Sequence, residues 1–225
     1  MSYPLPFPLP YSHPAMTITF LTPDSRTPGD VIVDVDGRRF ASLPIETVQA
    51  LGLRAGQDLD GEFGGRVRRA VDGEAAYQVS VRLLATRPRA ANELLHKLRD
   101  RGHDPQAAAE ALGRLEVKGI INDEVYAQHF VRVRADRGHG PGRLLTDLLA
   151  RGVDRRVAER AIAAVSSAEG VDSLVQARAL AEKRAAQTQG LPPTTRRRRL
   201  LAFLARRGYR GREMGDLVAE VIRAS

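Results

Sequence analysis

Leu94-Leu95-His96-Lys97-Leu98-Arg99-Asp100-Arg101-Gly102 returns twice in this chain, as Leu144-Leu145-Thr146-Asp147-Leu148-Leu149-Ala150-Arg151-Gly152 and as Leu200-Leu201-Ala202-Phe203-Leu204-Ala205-Arg206-Arg207-Gly208. The shared string is L-L-x-x-L-x-x-R-G, at spacings of 50 and 56 residues. Five identities in nine positions, three times over, mark an internal repeat. The leucines at its first, second and fifth positions fall on one face of a helix. The arginine lies in the last turn, where a cation meets the negative end of the helix dipole, and the glycine supplies a left-handed stop. Ten residues past the glycine stand Leu112, Ile162 and Val218, and thirteen past it Leu115, Val165 and Val221.

Each glycine is followed by a new helix start. Asp104-Pro105 is an N-cap with a first-turn proline, Asp154 caps the equivalent helix, and Arg210-Gly211 is a weaker start. Helical patterns over roughly 74–86, 123–137 and 172–187 precede the three motifs, so three helices per unit, nine in all, are predicted. The third unit has a longer first connection, Thr188-Gln189-Gly190-Leu191-Pro192-Pro193. Stacked units of this kind form an elongated, curved body in which each repeat touches mainly its neighbours. The fold expected is mainly α: three tandem three-helix repeats over 74–121, 122–170 and 171–225, behind a small α+β module over 17–73.

That module is read from Val31-Ile32-Val33-Asp34-Val35, a β-branched run ending at Asp36-Gly37, which suits a two-residue hairpin turn. Arg38 to Leu43 is the return strand, and Ile45, Val48 and Leu51 a short helix closed by Gly52. About 55 residues make a marginal core, so the module is expected to lean on the helices C-terminal to it. Prolines at 4, 6, 8, 10 and 14 give residues 1–16 the composition of an extended, disordered tail. Met16, which heads the strand-like Thr17-Ile18-Thr19-Phe20-Leu21, offers an alternative start.

Composition narrows the function. With 225 residues, 43% of them hydrophobic, the chain can fill a core. It has no cysteine, which removes disulfides and thiol catalysis. No apolar run approaches the roughly 18 residues of a membrane span, and the N-terminus lacks the order of a signal peptide, so a cytoplasmic monomer is expected. The net charge is +8 and is unevenly spread. Residues 1–73 hold seven basic and nine acidic side chains, whereas 171–225 hold twelve and five. Such a bias points to an anionic partner. Aromatic residues are only 5%, a poor supply for an extended base-stacking platform.

The five histidines, 13, 96, 103, 129 and 139, fall in no metal-ligand spacing, and no metal or cofactor is expected. Gly138-His139-Gly140-Pro141-Gly142-Arg143 resembles a phosphate loop only superficially and is read as a tight turn into a helix that starts at Pro141. Asp123 and Glu124 are read as first-turn dipole partners. No nucleophile, base and orienter come together, so no catalytic residue is assigned and the chain is expected not to be an enzyme.

Cations are the candidate functional groups. Arg196-Arg197-Arg198-Arg199 is the densest run. With Leu200, Leu201 and Leu204 marking the buried face, Arg198, Arg199 and Arg206 point away from it. Arg207, Arg210 and Arg212 bring the total to eight arginines between 196 and 212, a partner- or DNA-binding patch. Arginine's fork suits both phosphate and carboxylate, so the patch alone does not name its partner. In the second unit Arg134 and Arg137 share a helix face, with Arg132 and Arg143 nearby.

Three stretches resemble the RecX family, bacterial regulators of the RecA recombinase: Arg89 to Leu98, Ile121 to Val131, and Gly140-Pro141-Gly142-Arg143 running into Leu148 to Val153. The middle one, Ile121-Asn122-Asp123-Glu124-Val125-Tyr126-Ala127-Gln128-His129-Phe130-Val131, followed by G-x-G-P, is the most specific. Two departures are Ala90, where the family commonly has serine, and Arg151, where it has lysine. The resemblance implies tandem three-helix repeats and a regulator that binds RecA filaments on single-stranded DNA and restrains ATP hydrolysis, strand exchange and filament growth. In that setting Arg132, Arg134, Arg137 and Arg143 are the expected recombinase contacts. The rival reading from the residues is a direct DNA-binding protein, possibly a transcriptional regulator, whose three-helix units act as helix-turn-helix modules.

Overall fold

The computed structural model describes residues 16–168 and 172–224; most of the proline-rich stretch assigned to a tail lies outside them. The fold is mainly helical, with three tandem three-helix repeats behind a small α+β module, as the repeat implies. The described residues divide into two compact units, those up to 80 with 98–111, and 81–97 with those from 112 onward. No helix among the described residues is long and apolar enough to cross a membrane.

The first unit is built on an antiparallel sheet in the order β1 (Ile18–Pro23), β2 (Asp30–Val35), β3 (Arg38–Pro44). β2 and β3 meet at Asp36 and Gly37, whose φ angles of 50° and 75° are those of a type I′ turn. Helix α1 (Ile45–Leu51) ends at Gly52, in the left-handed region at φ 64°. One face of the sheet carries Ile18, Val33, Val35 and Leu43 into a core with Val48, Leu53, Leu59 and Val67.

Val67 belongs to α2 (Gly61–Thr86), and here sequence and structure differ. The sequence pattern places the first helix of repeat 1 over roughly 74–86. It begins at Gly61 instead. Burial of Val67 against the sheet outweighs the poor helix propensity of Gly61, Gly64 and Gly65, and Gly64 is required for it: a Cβ there would collide with the Leu59 backbone. The second half of the unit's framework is polar. Asp72 accepts from His103 Nδ1 at 2.6 Å and from the Asp104 amide at 2.8 Å, while Asp104 caps α4 (Pro105–Val117) through the amides of Gln106 and Ala107.

The second unit holds repeats 2 and 3: α5 (Asp123–Ala135), α6 (Pro141–Leu149) and α7 (Arg155–Ala168), then α8 (Ser173–Ala186), α9 (Pro193–Arg206) and α10 (Glu213–Ala224). It also contains most of α3 (Ala91–Arg99). Asn122, Asp154 and Asp172 cap α5, α7 and α8 with side-chain oxygens. Leu144 and Leu148 enter one core with Ala127, Val131, Val153, Ala158 and Val165. Leu200 and Leu204 enter another with Ala177, Ala181, Met214, Val218 and Val221. The first and fifth leucines of all three motifs are buried, and the second is half-buried. Gly102, Gly152 and Gly208 all take positive φ, 84°, 80° and 90°.

Candidate partner-binding surface

Helix α9 starts at Pro193, whose missing N–H is unneeded in a first turn. Because Leu200 and Leu204 turn inward, the arginines around them are sorted by angle. Arg197, Arg198, Arg199, Arg206, Arg210 and Arg212 are exposed. Among the described residues, the side chains of Arg198, Arg199, Arg206, Arg210 and Arg212 make no hydrogen bond or ion pair. Arg196 is half-buried and has an intramolecular partner.

Arg207 is placed differently from its companions. Its Nη1 donates to the carbonyls of Arg137 at 3.0 Å and Gly138 at 3.3 Å, and its guanidinium lies 5.0 Å from the centre of the Phe203 ring. The motif arginine of repeat 2 keeps the role read from the sequence: Arg151 donates to the Asp147 carbonyl in the last turn of α6 at 2.8 Å. In repeat 3 the same position reaches across to the turn that closes α5.

The four arginines of repeat 2 are only partly brought together. Arg143 Nε lies 3.0 Å from Asp147 Oδ1, and Arg134 Nη1 3.7 Å from Oδ2. His139 Nδ1 is 4.0 Å from the same oxygen. Burial first, then the Arg134 guanidinium, holds the His139 imidazole below its ordinary range, so at neutral pH the ring is uncharged. Two guanidiniums thus face one carboxylate, on a side chain that is 13% exposed. Arg134 and Arg151 also bracket the Phe130 ring, at 4.9 and 4.6 Å. Arg132 is exposed and has an intramolecular partner, whereas Arg137 enters the packing through its carbonyl.

The joints between repeats are the part that sequence reading missed. The Asn92 side chain donates to the Gly152 carbonyl at 3.0 Å, and the Gly142 amide to the Gly208 carbonyl at 3.1 Å. Asn92 and Gly142 both stand two residues before the first motif leucine, so the motif glycine of each following repeat is held at the same place. A Cβ on Gly152 would lie 2.7 Å from Asn92 Cβ, and one on Gly208 would collide with Arg143. Gly140, read from the sequence as turn glycine, is a close-approach site: a Cβ there would sit 2.9 Å from the Tyr209 ring. The equivalent pair in the preceding joint is Ala90 and Val153, so a larger residue on one side is matched by a smaller one on the other. Position 90 carries no hydroxyl, and the amide of the first residue of α3 is satisfied from the next repeat: the Asp123 carboxylate accepts from the Ala91 amide at 2.9 Å. Among the described residues no group of three or more His, Cys, Asp or Glu is placed to hold a metal ion.

Comparison with known proteins agrees with this geometry. Family models described as the first, second and third three-helix domains of RecX match residues 76–115, 122–162 and 171–212. A regulatory protein RecX from Halorhodospira halophila is 39% identical over 137 residues, 60% of this chain and 81% of that protein. One from Thermobifida fusca is 34% identical over 172 residues, 76% of this chain and 91% of that protein. A crystal structure of regulatory protein RecX superposes with a TM-score of 0.71 at 18% identity, covering 91% of this chain and 99% of the other. The structure of RecX from Lactobacillus salivarius gives 0.59 at 21% identity, covering 68% and 98%. At these identities the structural matches speak for the fold alone.

Proposed function

This chain belongs to the RecX family of regulatory proteins, and on that footing we propose that it binds RecA filaments on single-stranded DNA and restrains recombinase ATPase, strand exchange and filament extension. The observation that carries this reading is the row of exposed cations Arg198, Arg199, Arg206, Arg210 and Arg212 on and just beyond α9, unpaired among the described residues. Five guanidiniums with no partner among the described residues repel one another, and an anionic surface relieves that repulsion. Arginine's planar fork serves carboxylates of a protein filament and phosphates of the strand inside it equally well. Arg134 and Arg143, steadied by Asp147, supply a second contact region on repeat 2. Binding built on such groups weakens as salt rises.

The test is RecA ATPase on single-stranded DNA titrated with this protein at two salt concentrations. Inhibition that falls with salt, at protein concentrations where bare duplex is not bound, is the expected result. Sequence-selective duplex binding without effect on the ATPase would replace this reading with that of a direct DNA-binding protein.

A further inference from the structure

Between α8 and the end of α9 lies a pocket of about 230 Å³ lined by Leu180, Lys183, Arg184, Gln187, Phe203 and Arg207. Three of the six side chains are cationic and none is acidic. The floor is apolar: Phe203 packs beside the repeat 3 core together with Leu180. Two guanidiniums flank the ring, Arg207 at 5.0 Å and Arg184 at 5.8 Å from its centre. Both are held from behind, Arg207 by the Arg137 and Gly138 carbonyls and Arg184 by the Gln187 side-chain oxygen. Lys183 is exposed and, among the described residues, makes no hydrogen bond or ion pair.

Phe203 occupies the fourth motif position, where repeats 1 and 2 carry Lys97 and Asp147. In repeat 2 the carboxylate of Asp147 draws in Arg134; in repeat 3 the equivalent Arg184 meets an aromatic ring instead. The exchange of a carboxylate for a ring removes the internal counter-ion and leaves a flat apolar surface between cations. An acidic side chain has no use for that ring, whereas a nucleotide presents both a flat apolar base and an anion.

Resting on the proposed function, in which a single strand accompanies the bound filament, we propose that this pocket takes one nucleotide of single-stranded nucleic acid. The base lies against Phe203 and Leu180, and the adjoining phosphate meets Lys183, Arg184 and Arg207. Recognition is independent of sequence, since every base offers a π-face and the phosphate contacts carry no base information.

The experiment uses the full chain and a fluorescein-labelled oligothymidylate, read by anisotropy over a salt series, with Phe203→Leu and Lys183→Ala as variants. Phe203→Leu keeps an apolar side chain of similar bulk and is expected to weaken binding roughly tenfold, the loss of one stacked base. Lys183→Ala alters an exposed position and is expected to lower the slope of log affinity against log salt by about one phosphate contact. A 2-aminopurine base placed within the strand is expected to be quenched by the parent chain and not by Phe203→Leu.

Absence of oligothymidylate binding, or binding indifferent to both substitutions, overturns the proposal. A polyglutamate peptide that binds in a Phe203- and Lys183-dependent way, while the oligonucleotide is indifferent to both, assigns the pocket to a protein partner and overturns it too. RecA inhibition that persists beside such indifference defeats this inference alone. Phe203-dependent strand binding without any RecA inhibition defeats the proposed function alone.

Discussion

The side-chain amide of Asn92 donates to the carbonyl of Gly152 across 3.0 Å, joining the start of the second helix of repeat 1 to the end of the same helix in repeat 2. At that joint the motif glycine has two duties. It takes a positive φ to stop its helix, and it leaves room for the neighbouring chain. The two duties are separable by mutation, because Gly102, at the same motif position, has nothing within 4 Å of a Cβ.

Gly102→Ala is therefore expected to cost about 1 kcal/mol, the left-handed backbone penalty alone. Gly152→Ala adds a collision with Asn92 and is expected to cost roughly 2–3 kcal/mol. Chemical denaturation of both variants checks this, and equal losses would show that the joint tolerates a methyl group.

At the second joint, Gly140→Ala drives a methyl group into the Tyr209 ring. Tyr209→Val restores the residue type found at Val153, so the double variant is expected to recover stability that Gly140→Ala alone loses. A coupling of about 1 kcal/mol or more in the double-mutant cycle is the expected outcome. Strict additivity would refute the pairing.

Arg210 stands where Asp104 and Asp154 cap their helices, and α10 starts at Glu213, two residues later in the repeat than α4 and α7. Arg212 therefore holds the N-cap position of α10, and Arg212→Asp places a capping carboxylate there and is expected to stabilise the fold by up to about 1 kcal/mol. The same change removes an exposed cation, so RecA inhibition is expected to weaken as the melting temperature rises. Opposite movements of the two readouts distinguish a residue kept for binding from one kept for folding.

Replacement of Arg198, Arg199 and Arg206 together by alanine removes three exposed guanidiniums from α9. RecA inhibition is expected to fall and its salt dependence to flatten, with the circular dichroism spectrum unchanged. Unaltered inhibition would take these side chains out of the interface.

Burial raises the Asp123 carboxyl above its ordinary value of 3.8, and the Ala91 amide offsets this only in part. The folded chain then holds that proton more tightly than the unfolded chain. Its contribution favours folding below the ordinary range and is lost as pH rises through the raised value. Asp123→Asn keeps an acceptor for Ala91 without the buried charge. Its melting temperature is expected to exceed that of the parent at neutral pH, and the gap to close on acidification. A gap independent of pH would assign the effect to something other than this carboxyl.

Helix count, the leucine stripe, the glycine stops and the hairpin at Asp36-Gly37 were legible in the chain because each depends on residues within a few positions of one another. The exposure of Arg198, Arg199 and Arg206 followed from the same local geometry, since the leucines that define the buried face are their neighbours on one helix. Burial against a distant element was not legible. It starts α2 at Gly61 rather than near 74, against the propensity of its glycines. It turns Arg207 toward carbonyls seventy residues away, whereas Arg151 caps its own helix. It also makes Phe203 the floor of a cationic pocket, where the equivalent Asp147 neutralises its neighbours. Periodicity records which face of a helix is inside; which side chain meets it there depends on packing between residues far apart in the chain, and no local pattern carries that.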